Sequence, residues 1–162
     1  MKKRLINSFL LLTFIAAGAR GGGKRPLDVL GLRLGMTEEA AHERLRRVGR
    51  QQKEEREAEG EGGEQEVWIL RNDSHWDYLV TKFDHQHRLL FVTAVVRKNV
   101  HMVYGNVADP KDARYATDGN NHSYSWTIAA SNKQPACLAV ARGSDPKFLT
   151  SYSLYRLRQK AN

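Results

Sequence analysis

Histidines beside a carboxylate are the first residues whose types suggest chemistry. His85-Gln86-His87 directly follows Asp84, and His75 lies shortly before them. Imidazole nitrogens and carboxylate oxygens bind zinc and copper. The tripeptide nevertheless has the composition of a hairpin turn, where polar residues occur whether or not they bind metal. We therefore predict a solvated turn here and no metal site. The remaining histidines have no partner at a ligand spacing: His42, His101 and His122.

The nucleophiles and paired carboxylates do not form a catalytic pattern. Serines alternate along strand-like runs, as on a half-solvated sheet face, and none lies in a Gly-x-Ser-x-Gly elbow. The acids of residues 54–61 lie in a segment with almost no apolar residues, which cannot provide the partly desolvated site that a general acid needs. Gly21-Gly22-Gly23-Lys24 lacks the Walker spacing and a preceding strand. We predict no catalytic residue, no cofactor and no enzymatic activity.

The composition bounds what the 162-residue chain can be. With 41% hydrophobic and 27% charged residues, it can bury the core of one globular domain, or of two small domains that share a sheet. Cys137 is the single cysteine, so an intrachain disulfide is excluded, and its apolar neighbours predict a buried strand position. The formal net charge of +8 makes an anionic partner worth testing.

Residues 1–19 have the layout of a secretory signal. Cationic residues 2–4 precede an apolar run over residues 5–17, and small residues follow up to Ala19. The run is about 13 residues long, whereas a membrane-spanning helix needs about 20. We expect cleavage near Ala19 and an exported product, periplasmic or secreted, with an uncleaved N-terminal anchor as the alternative. Exported proteins rarely meet nucleic acid, so no nucleic-acid partner is expected.

The elements that follow begin with a flexible basic leader, residues 20–29, whose three consecutive glycines resist ordering. A helix then starts at Thr37, because a threonine hydroxyl caps an orphan backbone amide. Acids occupy its first turn and arginines its last turns, as the helix dipole favours, and Gly49 ends it. Residues 50–66 form an acidic, mobile linker that is helical in its first half at most.

Six strand-like runs follow the helix, separated by short turns that predict antiparallel meanders. The first half, residues 30–98, contains runs at 66–71, 75–84 and 88–98, and the second half, residues 99–157, contains runs at 123–130, 136–142 and 148–157. Residues 158–162 form a polar tail. Trp68 and Trp126 begin matching series, so the second half is a candidate diverged repeat of the first. The predicted fold class is α+β, with an N-terminal helix packed on an antiparallel β-meander and a second, mostly β half.

The start of the helix carries a recognisable motif. Leu34-Gly35-Met36-Thr37-Glu38-Glu39, a short helix and Gly49 resemble the opening of the SmpA/OmlA family, which includes the small lipoprotein of the outer-membrane β-barrel assembly machine. Phe83-Asp84 and then Leu89 match a later step, so the resemblance covers about residues 29–98. The same unit, doubled, resembles the β-lactamase-inhibitor-protein fold. The chain departs from the family in lacking a lipobox cysteine, in its longer acidic linker, and in having Arg50 where the family has proline. The resemblance implies a scaffold or binding protein without catalytic residues.

The leading functional prediction is an exported, non-enzymatic scaffold or protein-binding protein of the cell envelope, whose partner is another envelope or secreted protein. We expect it to bind through aromatic residues on solvated strand faces, although aromatic residues also dominate cores. These residues are Trp76, Tyr78, Trp126, Tyr152 and Tyr155. The alternative is a binder of anionic envelope ligands, lipid headgroups or acidic glycans, with peripheral membrane contact. Its candidate residues are Arg71, Lys82, Arg97 and Lys98.

Overall fold

The computed structural model of the protein describes residues 28–52 and 65–157. The predicted signal segment, nearly all of the basic leader, most of the acidic linker and the polar tail lie outside the described residues. Within the described ranges, every helix is too short or too polar to cross a bilayer.

The predicted helix is confirmed as α1, Glu38–Val48. The Thr37 hydroxyl accepts a hydrogen bond from the Ala40 amide at 3.3 Å, and Glu38 and Glu39 occupy the first turn. The helix buries Ala41 and Leu45. Gly49 ends it with an extended backbone, and the chain continues directly into a strand.

The described residues form ten strands. In chain order they are β1 (Gly49–Gln52), β2 (Gln65–Leu70), β3 (Trp76–Phe83), β4 (Leu89–Val96), β5 (Met102–Val103), β6 (Arg114–Asp118), β7 (Asn121–Ile128), β8 (Cys137–Gly143), β9 (Phe148–Leu149) and β10 (Ser151–Arg156). Eight of them make one antiparallel sheet in the order β1-β2-β3-β4-β10-β8-β7-β6, and β5 pairs with β9 separately. The pairing of β4 with β10, with Thr93 opposite Ser153, joins the two halves of the chain into a single sheet.

One face of this sheet carries the hydrophobic core. Alternate residues of the central strands, such as Leu79, Val92 and Leu154, are fully buried there. The segments outside the sheet cover this face with residues of the same apolar cluster: Leu32, Leu34, Ala41, Leu45, Met102, Tyr104 and Leu149. Both halves of the chain therefore share one core.

The predicted α+β class is wrong, because the protein is nearly all-β. Strands and bridges take 53% of the described residues, and helices take 14%. The sequence analysis did not predict β1 and β6. Both are edge strands whose side chains are almost all exposed, so neither shows the alternation of apolar and polar residues that indicates a strand. Gln51 and Gln52, expected in a linker with some helix, pair instead with Trp68 and Val67.

The second half does not repeat the helix of the first. Among the described residues, α1 is the only α-helix, and β6 is preceded by two short 3-10 helices, Tyr104–Asn106 and Pro110–Asp112. The indole Nε1 of Trp126 donates to the carbonyl oxygen of Asp109 at 2.9 Å and so holds this connection against β7. The second half is mostly β, as predicted, and its described residues lack the α-helix that a doubled helix-plus-meander unit would contain.

Candidate functional site

The side of the sheet opposite the core is an apolar surface, which we call the open face. Strand register brings its apolar side chains together in rows that cross five strands. They are the half-buried Val67, Ile69, Tyr78, Val80, Phe91, Val95, Leu138 and Tyr155, and the buried Val140. The described segments outside the sheet contribute to the core on the other side, so these residues are covered mainly by one another.

The centre of the open face is tightly packed. Thr93 and Ser153 share a hydrogen bond of 2.7 Å between their hydroxyl oxygens, where β4 meets β10. Ser153 is buried, and the rings of Phe91 and Tyr155 lie next to it with centroids 5.0 Å apart. The two hydroxyls are hydrogen-bonded to each other and lie beside apolar rings. The centre of the open face therefore has an uncharged, aromatic composition like that of the buried centre of a protein–protein interface.

Cations lie around this apolar centre. Register assigns four basic residues to the open face, at its edges and strand ends: Arg50, Lys82, Arg114 and Arg142. Arg142 donates to the Tyr155 hydroxyl at 3.2 Å, and its guanidinium lies 6.0 Å from the centroid of the same ring. Arginine held on tyrosine is a combination enriched among the residues that dominate binding energy at interfaces.

The aromatic residues predicted to bind are divided between the two faces. Tyr78 and Tyr155 lie on the open face, half-buried. The prediction of a solvated face is wrong for Trp76, Trp126 and Tyr152, which belong to the hydrophobic core. A period of two separates the faces of a strand, but the sequence does not indicate which face the other segments cover.

The basic residues predicted to bind anions do not converge. Lys82 lies on the open face, whereas Arg71 and Lys98 are exposed just beyond the ends of β2 and β4. Arg97 is occupied by its own fold: Nε donates to the carbonyl oxygen of Asp73, Nη2 to that of Leu70, and Nη1 to the Asp77 carboxylate.

Tyr152 lines a cavity of about 660 Å³ on the core side, together with Asp28, His75, Trp76 and Met102. Its hydroxyl is buried and has no hydrogen-bond partner among the residues that the structure describes. Burial, with smaller contributions from Cys137 and Asp28, raises the pKa of Tyr152 far above its ordinary value. Cys137 is buried as predicted, and burial also raises the pKa of its thiol, which disfavours the reactive thiolate.

A cluster of histidine and glutamate side chains lies where α1 meets the sheet, and the sequence analysis missed it. His42 Nε2 is 2.9 Å from both carboxylate oxygens of Glu66, and His87 Nδ1 is 2.6 Å from Glu38 Oε2. Donor atoms of Glu38, His42 and Glu66 all lie within 4.8 Å of one another. The i,i+4 spacing of Glu38 and His42 was the one available sequence signal, since Glu66 comes from a separate strand.

The predicted turn between β3 and β4 is confirmed. Asp84 Oδ1 accepts hydrogen bonds from the amides of Gln86 and Arg88, each at 2.9 Å, and Asp84 Oδ2 accepts one from Arg156. Asp84 is therefore occupied as a turn-forming residue, and His75 pairs with Ser74 at a different turn. Of the histidines first considered for metal binding, His87 alone reaches the glutamate cluster in the described structure.

Comparison with known proteins gave no match. No protein-family model matches the chain, and searches of curated proteins and of solved structures found no significant similarity.

Proposed function

We propose that the protein is an exported, non-enzymatic binding protein whose open face docks on another envelope or secreted protein. The observation that carries this proposal is the apolar open face. All described segments that pack on the sheet contribute to the core on its other side, so they leave the open face uncovered. Contiguous apolar surface on a soluble protein marks an interaction site. The resemblance of residues 29–98 to the SmpA/OmlA family supports the same kind of function.

Charge favours a different protein over a second copy of this chain. Two copies packed through their open faces would bring the four cations Arg50, Lys82, Arg114 and Arg142 toward their equivalents, and like charges at an interface oppose association. Cleavage near Ala19 removes three basic residues and no acid from a formal net charge of +8, so the exported product stays positive and this charge adds to the repulsion. The partner we propose therefore presents an apolar patch with acidic residues around it.

The anionic-ligand alternative receives less support. Its four candidate cations are scattered, and Arg97 has three hydrogen bonds within the fold. A specific anion site needs cations that converge on one point, as in bidentate arginine clamps. Lys82 alone among them belongs to the open face, where it serves the protein-docking proposal equally well.

The test compares matched substitutions during capture of partners from envelope extract by the full chain. Val80→Lys places a charge in the centre of the open face, between Val67 and Thr93 on the neighbouring strands. Val103→Lys is the control, since Val103 is an exposed valine on β5, away from that face. We expect a specific protein to be captured by the unmodified chain and by Val103→Lys, and to be lost with Val80→Lys.

Salt distinguishes the two proposals. Docking through an apolar centre persists when salt is raised, whereas binding to lipid headgroups or glycans weakens steeply as exposed charges are screened. Capture that survives Val80→Lys, but is lost with Arg71→Glu or Lys98→Glu and in modest salt, would contradict the protein-docking proposal and favour the anionic alternative.

A further inference from the structure

The histidine–glutamate cluster has the donor set of a divalent-cation site. Each of Glu38, His42 and Glu66 offers one ligand atom, and these atoms lie within 4.8 Å of one another. Four-coordinate zinc, with bonds of about 2.0–2.1 Å, holds neighbouring ligand atoms about 3.3 Å apart. His42 Nε2 lies 2.9 Å from the Glu66 carboxylate, which is slightly closer than this spacing, and no two of the three ligand atoms are more than 4.8 Å apart. Small side-chain rotations are therefore enough to place all three atoms around one ion.

Backbone contacts hold a fourth donor, His87, beside Glu38. The Glu38 amide, the first of α1, donates to the carbonyl oxygen of His87 at 2.8 Å, and the Leu89 amide donates to the carbonyl oxygen of Met36 at 2.9 Å. Thr37 and Arg88 also form a β-bridge. These bonds join the start of the helix to the β3–β4 turn, which places the His87 ring against the Glu38 carboxylate.

Supporting hydrogen bonds orient the deepest ligands. The Glu66 carboxylate accepts from the Trp68 indole at 2.9 Å and from the Thr81 hydroxyl at 3.3 Å. The His42 ring packs between Trp68 and Phe83, with centroid distances of 5.5 and 5.4 Å. Metal-binding proteins characteristically fix their first ligands with such outer contacts.

The cluster is also accessible to an ion. Exposure of the side chains rises from 12% at Glu66 and 18% at His42 to 31% at Glu38 and 79% at His87. A groove of about 470 Å³ runs along Glu38, His42 and His87 and gives solvent access to the ligands. The site is therefore fixed and largely desolvated at Glu66 and His42, and it is open to solvent at His87, where an ion can enter.

We propose that Glu38, His42, Glu66 and His87 bind one zinc ion. Two imidazole nitrogens and two carboxylate oxygens form a borderline donor set that suits zinc, whereas magnesium and calcium prefer oxygen ligands alone. The ion neutralises two carboxylates that otherwise lie close together, and His42 Nε2 coordinates it in place of donating to Glu66. The site joins α1, β2 and the β3–β4 turn on the core side of the sheet, so it is independent of docking through the open face.

The test is calorimetric titration of the chelator-treated full chain with zinc alone. We expect one zinc ion to bind per chain at micromolar affinity or tighter. Glu66→Gln keeps the size of the side chain but removes its charge, and His87→Ala alters an exposed residue, so both variants should fold while binding zinc far more weakly. Thr81→Val removes only a supporting hydroxyl and should weaken binding by about 10- to 100-fold.

Matched controls separate this site from general histidine and carboxylate binding. His85→Ala removes an exposed histidine from the same turn, and Glu43→Gln neutralises an exposed glutamate on α1; both should bind zinc as the unmodified chain does. Imidazole nitrogen shifts in NMR spectra should report metal on Nε2 of His42. Absence of saturable zinc binding, or binding that survives Glu66→Gln and is lost with His85→Ala, would overturn the proposal.

Discussion

Arg97 allows a direct test of the structure. The sequence analysis predicts that it binds anions, whereas in the structure its guanidinium is hydrogen-bonded within the protein. Its guanidinium donates to the carbonyl oxygens of Asp73 at 2.8 Å and Leu70 at 3.1 Å, and to the Asp77 carboxylate at 3.1 Å. These bonds tie the β2–β3 turn to the end of β4. Replacement of Arg97 should therefore reduce stability rather than ligand affinity.

The magnitude follows from the three bonds. A hydrogen bond from a charged donor contributes about 1.5–3 kcal/mol, and the lower half of that range applies because the Arg97 side chain is 33% exposed. The ion pair with Asp77, which is 47% exposed, adds at most about 1 kcal/mol. The two bonds to carbonyl oxygens and the ion pair together lead us to expect that Arg97→Ala lowers the free energy of unfolding by about 3–5 kcal/mol. Arg97→Lys should recover less than half of this loss, because a single ammonium cannot reach three acceptors in a fork.

Urea denaturation measures this loss directly, provided that the slope of the transition stays unchanged. Lys98→Ala is the matched control, since it removes the next cation along the chain from an exposed position and should change stability by less than about 0.5 kcal/mol. Equal midpoints for Arg97→Ala and Lys98→Ala would refute the structural role, and so would full recovery by Arg97→Lys.

Two further predictions concern burial and packing. Burial, with smaller contributions from nearby Tyr124, Asp145 and Tyr115, raises the pKa of Tyr104 to about 12. The unfolded chain releases the tyrosine proton near pH 10, so the contribution of Tyr104 to stability should be constant up to about that pH and fall toward pH 12. Urea midpoints measured across this range should therefore fall less steeply in Tyr104→Phe than in the unmodified chain. An added Cβ at Gly143 would collide with the carbonyl oxygen of Phe148, whereas one at Gly105 meets open space. Gly143→Ala should therefore cost about 1–3 kcal/mol or more in thermal or urea unfolding, and Gly105→Ala should be nearly neutral.

Local signals predicted the helix and the longest strands well. Thr37, the acids after it and Gly49 define both ends of α1, because caps and dipole effects depend on neighbouring residues alone. The runs that became β3 and β4 alternate strongly, since each has one buried face, and their burial patterns follow a period of two.

The edge strands and the covered face were beyond sequence reasoning. β6 is exposed along its whole length and is held by backbone pairing to β7, which leaves no hydrophobic pattern to detect. Trp76 and Tyr78 are separated by a register irregularity between β3 and β4, so they lie on opposite faces although they are two residues apart. A bulge of this kind reverses the side assigned by simple alternation.

The glutamate–histidine cluster escaped the sequence for a topological reason. His42 and Glu66 are separated by a polar segment, and they meet because the pairing of β1 with β2 brings the start of β2 back beside α1. His87 was considered with its sequence neighbours, yet its partner in the fold is Glu38. Ligands gathered from a helix, a strand and a turn carry no spacing motif that a single sequence can reveal.

Strand β2 serves both proposed sites, and its pleat is what keeps them separate. Glu66 and Trp68 point to the core side, where Glu66 belongs to the cluster, while Val67 and Ile69 point to the open face. A slip of one residue would exchange the two sets, but pairing with β1 and β3 on both sides fixes the register. Substitutions at adjacent positions can therefore test the two functions in the same fold. Glu66→Gln should strongly weaken zinc binding and leave partner capture intact, whereas Val67→Lys should abolish partner capture and leave zinc binding intact. Loss of both properties in either variant would mean that the two faces do not act independently.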